Sequence, residues 1–290
     1  MIIENLRAKF HKSLLDDNVL SVNQLGVPSN ADGTNRASVA LAKGIVKHLI
    51  FSITKAGLMI SEPEAQVKLS GQEAGNLFEH LVKRYLHDAL QEINHLRSGR
   101  YHFGIGKPIS EFEQYRHLQS LTDALKKHRD LKAALGDYVI CPDITIGKYP
   151  IEESEINRHS SFIFGRSVAA LTPVREINSP NLLLHTSISC KWTLRSDRAQ
   201  NARTEGLNLI RNRMGHTPHI VCVTGEPTLT RIASLALGTG DIDCVYHFAL
   251  NELIAAVRDL NNDTVTDLLQ TMYEGKRLRD ISDLPFDLMA

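Results

Sequence analysis

The chain has 290 residues, 42% hydrophobic and 23% charged, with 33 basic and 33 acidic side chains and a formal net charge of zero. That length buries a sizeable core, in one large α/β domain or two small ones. The neutral balance argues against a protein that coats nucleic acid indiscriminately, and leaves room for a specific binder whose basic residues line one cleft. No apolar run reads as membrane-spanning, and the start, MIIENLRAKFHK, has no signal-peptide apolar region. The four cysteines, Cys141, Cys190, Cys222 and Cys244, lie far apart in strand-like apolar contexts. They predict buried free thiols in a reducing cytoplasm, not a disulfide frame or a zinc site.

In chain order, Ile3–Leu15 predicts a helix, and the polar loop Gly26–Asn35 that follows is either a connector or an arm suited to probing a groove. Arg36–Thr54 predicts a second helix. Ser70 and Glu73 have capping-box spacing ahead of Phe78, Leu81, Val82, Tyr85, Ala89 and Ile93, which predicts a long amphipathic helix with Glu79 at the edge of its apolar face. Phe112–Leu135 reads as helical with a break near Arg129-Asp130, and Asp137–Ile146 (DYVICPDITI) as the first strand. Lys148–Pro180 is the least patterned stretch, with Phe162, Ile163 and Phe164 as a short apolar segment. A loop of that length inside a compact domain is more often functional than idle. Strands follow at Asn181–Cys190, His219–Val223 and Asp241–Phe248, and helices at Thr228–Leu237, Ala249–Leu260 and Thr264–Tyr273. With no internal repeat, low-complexity segment or linker, residues 1–290 read as a single α/β domain, a mixed central sheet flanked by helices.

The chemistry concentrates in Ser187–Arg213. An apolar strand ends on Lys191, Ser196 stands as an N-cap candidate, and Ala199, Ala202, Gly206, Leu209 and Ile210 repeat at helical spacing. Six basic residues (Lys191, Arg195, Arg198, Arg203, Arg211, Arg213) face two acidic ones (Asp197, Glu205) in this stretch. A solvated helix face laced with salt bridges would account for the charges alone. Against that, the small residues allow close packing of the helix, the charges gather at a strand-to-helix junction where α/β proteins place sites, and Pro142-Asp143 lies within another strand pattern. A carboxylate on one strand, a lysine on another and a glutamate on the next helix suit a metal-dependent phosphodiesterase. Carboxylates hold Mg²⁺, and a lysine neutralises charge or positions the attacking water.

Other signals are weaker. Gly238-Thr239-Gly240 follows a helix and precedes a strand, the reverse of a dinucleotide loop, so it reads as a turn. Cys190 and His185 are five apart on a strand and point to opposite faces, which disfavours a thiol nucleophile. The 13 histidines show no HExxH spacing. Trp192 reads as a core or cleft-wall residue more readily than as a base-stacking one, and the sequence leaves both open. Arg195, Asp197 and Arg198 could be ion-paired structure. For a DNA reader, arginine fits guanine O6 and N7 while a carboxylate accepts from cytosine N4.

Pro142-Asp143, Ser189-Cys190-Lys191 and Glu205 resemble the active-site pattern of the PD-(D/E)XK nucleases, in the variant used by type II restriction endonucleases that cut at CCGG cores. Ser189 stands where an acid usually precedes the lysine by two, and Glu205 takes over that acidic role from the following helix. The segments SNADG, SISCKW, RSDRAQNAR and ALGTG, with others running from Ser29 to Pro285, resemble the NgoMIV-type group in particular. The resemblance implies a restriction-endonuclease-like fold and Mg²⁺-dependent cleavage of GCCGGC after the first G. It implies that Asp143, the Cys190 carbonyl and Glu205 bind metal, with Glu79 as a further acid and Lys191 polarising the water. It implies that Arg195, Asp197 and Arg198 read CCGG, that Gln72 reaches the minor groove, and that Asp32, Thr34 and Arg231 address the outer pair. Thr34 replaces the group's serine and keeps its hydroxyl. A homotetramer of two dimers joined through Lys148–Pro180 is implied too, with a cognate DNA methyltransferase as genetic partner and no membrane partner. Two alternatives stand beside this reading: a repair or recombination nuclease on the same fold, and a DNA-binding protein that no longer cuts.

Overall fold

Local sequence signals dictate the three helices that open the structure, a computed structural model that describes residues 2–60, 69–127, 140–238 and 240–289. Helix α1 (Ile2–Asp16) buries Phe10, His11 and Leu14. Helix α2 (Arg36–Lys55) is started by Asn35, whose side chain accepts from the N–H groups of Ala37 and Ser38. Helix α3 (Gly71–Ile93) carries the expected reciprocal capping box between Ser70 and Glu73, and buries Phe78, Leu81, Val82, Tyr85 and Leu86 along one face.

Contrary to the expectation from sequence, α2 is long and apolar enough to cross a bilayer by composition, with mean hydropathy 1.3. Its apolar residues instead build a protein core. Leu41, Ala42, Ile45, Leu49 and Ile53 are buried, and Gly44 lies so close to helix α8 (Leu250–Leu260) that an added Cβ would stand 2.6 Å from the Ala256 methyl. Asp259 of α8 takes hydrogen bonds from Lys47 and His48 on the exposed side of the same crossing.

Six strands form one sheet in chain order: β1 (Tyr101–Ile105), β2 (Ile144–Lys148), β3 (Leu183–Lys191), β4 (His219–Thr224), β5 (Cys244–His247) and β6 (Leu278–Asp280). The β1/β2 and β2/β3 pairs are antiparallel, and the β4/β5 and β5/β6 pairs are parallel, so the sheet is mixed as expected. Helices α4 (Gln119–Lys127), α5 (Glu153–Ile156), α6 (Ser196–Asn212), α7 (Leu229–Ala236), α9 (Asp263–Glu274) and α10 (Leu284–Asp287) complete the described elements. By internal packing the chain forms two compact units. One comprises Met1–Arg97, Ser189–Arg203 and Ile220–Ala290; the other comprises Ser98–Ile188 and Thr204–His219.

Several expectations are corrected. Strands β1 and β6 lie in stretches for which the sequence reading assigned no element. The strand anticipated from Asp137 begins only at Ile144, with residues 140–143 irregular and 137–139 outside the described residues. The segment from Phe112 starts as a 3-10 turn (Glu113–Leu118) before α4, and the break at Arg129-Asp130 lies outside the described residues. Cys141 is exposed, while Cys190, Cys222 and Cys244 are buried.

The first unit contains a buried charged cluster. Arg7 of α1 donates Nε and Nη2 to the Asp280 carboxylate (2.8 and 2.7 Å) and Nη1 and Nη2 to that of Glu252 (3.0 and 2.6 Å). Asp280 also accepts from the N–H of Leu250 (2.9 Å) and from the Ser282 hydroxyl (2.6 Å). Burial would raise both carboxyl groups, but Arg7 holds each down to about 2. Next to the cluster, His11 is fully enclosed, with its Nε2 2.7 Å from the Phe248 carbonyl, and burial pulls its pKa down to about 4.

Candidate nucleic-acid interface and catalytic residues

Most of the candidate base-reading side chains fall in the first unit, on three short segments that hydrogen bonds tie together. The Gly26–Asn35 loop is pinned. Ser29 bonds back to Val19 and Ser21, the Asn30 side chain donates to the Gly225 carbonyl at 2.8 Å, and the Asp32 N–H donates to Ser38 Oγ at 2.9 Å. Asp32 is thus presented from a fixed loop, not a free arm. Its carboxylate accepts from the Thr34 hydroxyl (2.7 Å) and N–H (3.1 Å) and from Arg231 Nη2 (2.5 Å). Those Thr34 and Arg231 bonds hold the carboxyl at about 2, so it is ionised at any working pH.

Arg231 sits in the first turn of α7, just after the β4 strand end, and Glu226 lies below it. The Glu226 side chain is 0% exposed, with Oε2 3.6 Å from Arg231 Nη1. That same Oε2 accepts the Leu194 N–H at 2.8 Å, and Oε1 accepts the Thr228 N–H at 3.0 Å. Leu194 belongs to the turn joining Lys191 to α6. The turn is held further by Thr224, whose hydroxyl donates to the Lys191 carbonyl at 2.7 Å, and by the Gly225 N–H on the same carbonyl at 3.1 Å. Trp192 lies across Gly225 so closely that a Cβ there would meet its ring at 2.3 Å, which is why only glycine fits. The indole packs between Phe78 and Phe248, with ring centroids 5.0 and 5.4 Å away. Trp192 is therefore a core residue.

At the mouth of α6, Arg195 and Asp197 are exposed and Arg198 is half-buried, with its Nη1 bonded to the Thr193 hydroxyl at 3.2 Å. The helix already includes Ser196, and the Ala199 N–H bonds the Arg195 carbonyl at 3.0 Å. Arg195, not Ser196, thus holds the cap position. This places two arginines and a carboxylate within one turn, aimed outward from a well-anchored base. Gln72 is exposed in the first turn of α3, and Glu79 is half-buried two turns further along it. Lys191, half-buried, ends β3, and the Cys190 thiol packs in the core beside it.

Asp143 and Glu205 belong to the second unit. Asp143 is half-buried immediately before β2, where its carbonyl accepts the Gly106 N–H at 3.2 Å and the next residue, Ile144, pairs with Ile188 of β3. Glu205 is half-buried in α6. Among the described residues no three or more His, Cys, Asp or Glu side chains form a metal cage. Carboxylates and a backbone carbonyl are hard oxygen donors, and Mg²⁺ keeps several waters and needs only one or two carboxylates from a protein. Oxygen donors of this kind suit hard divalent cations.

The Lys148–Pro180 stretch, read from sequence as unpatterned, is folded around Arg175. Its guanidinium is buried, paired bidentately with Glu153 (both 2.8 Å) and bonded to the carbonyls of Gly165 and Val168. Around this core the segment exposes Phe162, Phe164, Val168 and Leu171, the last 96% exposed.

Sequence reasoning missed Glu226 and Asn30. Glu226 stands in the polar stretch Thr224-Gly225-Glu226-Pro227-Thr228, which reads as an ordinary turn, so the sequence carried no mark of its burial. Asn30 carried none either.

The family model described as NgoMIV restriction enzyme matches residues 10–290. The type II restriction enzyme NgoMIV of Neisseria gonorrhoeae is 48% identical over 288 residues, spanning 97% of this chain and 96% of that enzyme. Among solved structures, the chain is similar to the restriction endonuclease PspGI in a substrate DNA complex, at TM-score 0.37 and 13% identity over 99% of this chain and 91% of that one. It is also similar to the type IIF restriction endonuclease Bse634I with cognate DNA, at TM-score 0.30 and 14% identity over 86% of each. The resemblance read from the motifs is borne out by the first two of these findings: the chain belongs to the NgoMIV restriction enzyme family and is a type II restriction endonuclease.

Proposed function

We propose that this endonuclease cuts double-stranded DNA at GCCGGC after the first G, leaving 5′ CCGG overhangs, with Mg²⁺ as its cofactor. The observation that carries the hexanucleotide reading is the joining of Asp32, Thr34 and Arg231 into one hydrogen-bonded set from elements 199 residues apart. A guanidinium beside a carboxylate matches the two halves of a C·G pair in the major groove, the arginine to guanine O6 and N7 and the carboxylate to cytosine N4. Arg195, Asp197 and Arg198 at the mouth of α6 offer the same chemistry for the inner pairs, and Gln72 is assigned to the minor groove.

Asp143, Glu205 and the Cys190 carbonyl are the ligands proposed for Mg²⁺, with Glu79 completing the acidic set. When bound, the ion supplies charge neutralisation at the scissile phosphate and lowers the pKa of its water. Lys191 contributes a fixed cation from the end of β3. It neutralises the phosphate oxygen that gains charge and orients the attacking water by hydrogen bonding. The rigid turn behind it keeps that ammonium in place without reorganisation during the reaction.

The assembly is proposed as a homotetramer of two dimers, joined through residues 148–180. The Arg175-centred fold of that segment, with large apolar side chains turned outward, supports this: ordered backbone carrying exposed Phe and Leu is the composition of an interface core. The enzyme acts in the cytoplasm, with a cognate methyltransferase protecting the host's own sites. Digestion of a sequenced plasmid with Mg²⁺, followed by mapping of the ends, tests the reading. Ends at G/CCGGC are expected, and ends at any other sequence overturn it.

A further inference from the structure

We propose that Glu226 is a positioning residue that sets the outer-pair reader and the inner-pair readers in one frame, so that recognition of the two parts of the site is coupled. The inference rests on the reading above, in which Arg231 addresses the outer pair and the α6 mouth addresses CCGG.

The geometry is that of a buried junction. Glu226 Oε2 faces two groups at once, the Leu194 N–H at 2.8 Å and the Arg231 guanidinium at 3.6 Å, and Oε1 takes the Thr228 N–H at 3.0 Å. Leu194 is the residue before Arg195, and Thr228 directly precedes α7, which carries Arg231. One fully buried carboxylate thereby fastens the start of both reading helices. The main chain of Glu226 is fixed as well. Its N–H donates to Thr224 Oγ1 at 3.1 Å, and its carbonyl accepts from His247 Nε2 at 3.2 Å. The Nδ1 of His247 accepts the Ala249 N–H at 3.1 Å, so the ring is the neutral Nε2–H form.

A carboxylate is the one side chain that meets these demands. Two backbone N–H groups converge on it from opposite sides, and both need acceptors in a site closed to water. Glutamine offers one acceptor oxygen and turns an NH₂ toward the other N–H. It also removes the negative charge that draws the guanidinium. Glutamate therefore does more than fill space. It orients Arg231 from below while Asp32 holds it from the side, and the oxygen that does so also anchors the turn leading from Lys191 to Arg195.

The test is the Glu226→Gln variant of the full-length enzyme, with cleavage followed on GCCGGC and on ACCGGT, which differs in the outer pair alone. The preference of the wild type for GCCGGC is expected to fall by roughly 10-fold or more, within the range of a lost arginine–guanine contact. In an Arg231→Ala background, Glu226→Gln is expected to leave the residual preference unchanged while still lowering kcat through the α6 turn. A folded Glu226→Gln enzyme with wild-type preference overturns the proposal, because a merely structural glutamate lowers stability without moving a ratio between two substrates. If the variant does not fold, amide exchange of the wild type decides. With Mg²⁺ withheld and the protein saturated by DNA, GCCGGC is expected to slow exchange of the Leu194 N–H beyond what ACCGGT achieves, and equal protection by both overturns the coupling. A wild type that fails to prefer GCCGGC refutes the functional reading instead, so the two failures are distinct.

Discussion

Replacing Arg7 by Met tests the strongest energetic feature of the fold. The guanidinium is 13% exposed and makes four hydrogen bonds to two carboxylates that are 3% and 7% exposed. Met fills a similar volume without charge, so Glu252 and Asp280 are left facing each other in a buried site. Removing one member of a buried ion cluster costs about 3–5 kcal/mol, because the remaining charge has no compensation. The pH dependence gives the argument its sign. In the wild type both folded carboxyl groups lie near 2, below their unfolded values of 4.5 and 3.8, so their contribution is present above about pH 5 and is lost as pH falls towards 2. Without Arg7, burial raises both groups, the folded state binds protons more readily than the unfolded one, and the penalty shrinks as pH falls from 7 to 5. The stability gap between wild type and Arg7→Met, measured by urea unfolding at several pH values, should therefore be largest near pH 7 and narrower at pH 5. A gap below about 1 kcal/mol, or one constant across that window, would refute the buried-charge reasoning.

Further predictions concern histidine, catalysis, base reading and assembly. His11 and His247 are held near 4 by burial, below the ordinary 6.5, so each favours the folded state fully above pH 6.5 and loses that contribution as pH drops towards 4. His11→Gln should flatten the wild-type decline of stability between pH 6.5 and 4, and an unchanged slope in urea titrations counts against it. Asp143→Ala and Lys191→Ala should each abolish cleavage, while Asp143→Ala retains specific binding in a gel-shift assay; near wild-type cutting by either removes the active-site assignment. Arg231→Ala should keep its preference for CCGG and lose roughly 1–3 kcal/mol of outer-pair discrimination on GCCGGC, ACCGGT and TCCGGA at one salt concentration. An equal fall on all three sites makes Arg231 a phosphate or structural contact. A DNA with two sites should be cut faster than one with a single site, and sedimentation showing only monomer or dimer contradicts the tetramer.

The elements legible in the sequence were those whose signal is local. Ser70 and Glu73 announce α3 because a capping box needs only four residues, and the apolar face of α3 repeats for six turns. Strand β6 could not be read the same way, since three residues hold too little alternation, and β1 carries Gly104 inside a five-residue strand. Lys148–Pro180 looked unpatterned because its organising contacts are made by one arginine to a carboxylate and to carbonyl groups, which no periodicity reports. At the candidate site, the residue types at 143, 191, 205 and 195–198 were legible as a motif. The tie between Asp32 and Arg231 was not, because it joins side chains 199 residues apart through tertiary structure alone.

That tie bears on how the proposed enzyme would discriminate. In the structure Arg231 and Asp32 neutralise each other, with Thr34 taking the second carboxylate oxygen. Entry of a C·G outer pair replaces one matched set by another: guanine receives the guanidinium and the cytosine amino group donates to the carboxylate. An A·T pair offers an acceptor at N7, but thymine has no amino group for Asp32 and adenine places an N6 amino group where Arg231 seeks an acceptor. The carboxylate and the guanidinium would then each lose a partner while being desolvated, and an unpaired polar group in a closed site costs more than a satisfied bond gains. Discrimination at the outer pair would thus come less from attraction to the right bases than from the impossibility of leaving this ion pair half satisfied. On that account Asp32→Asn should relax the outer-pair preference in the same direction as Arg231→Ala, although it removes no arginine.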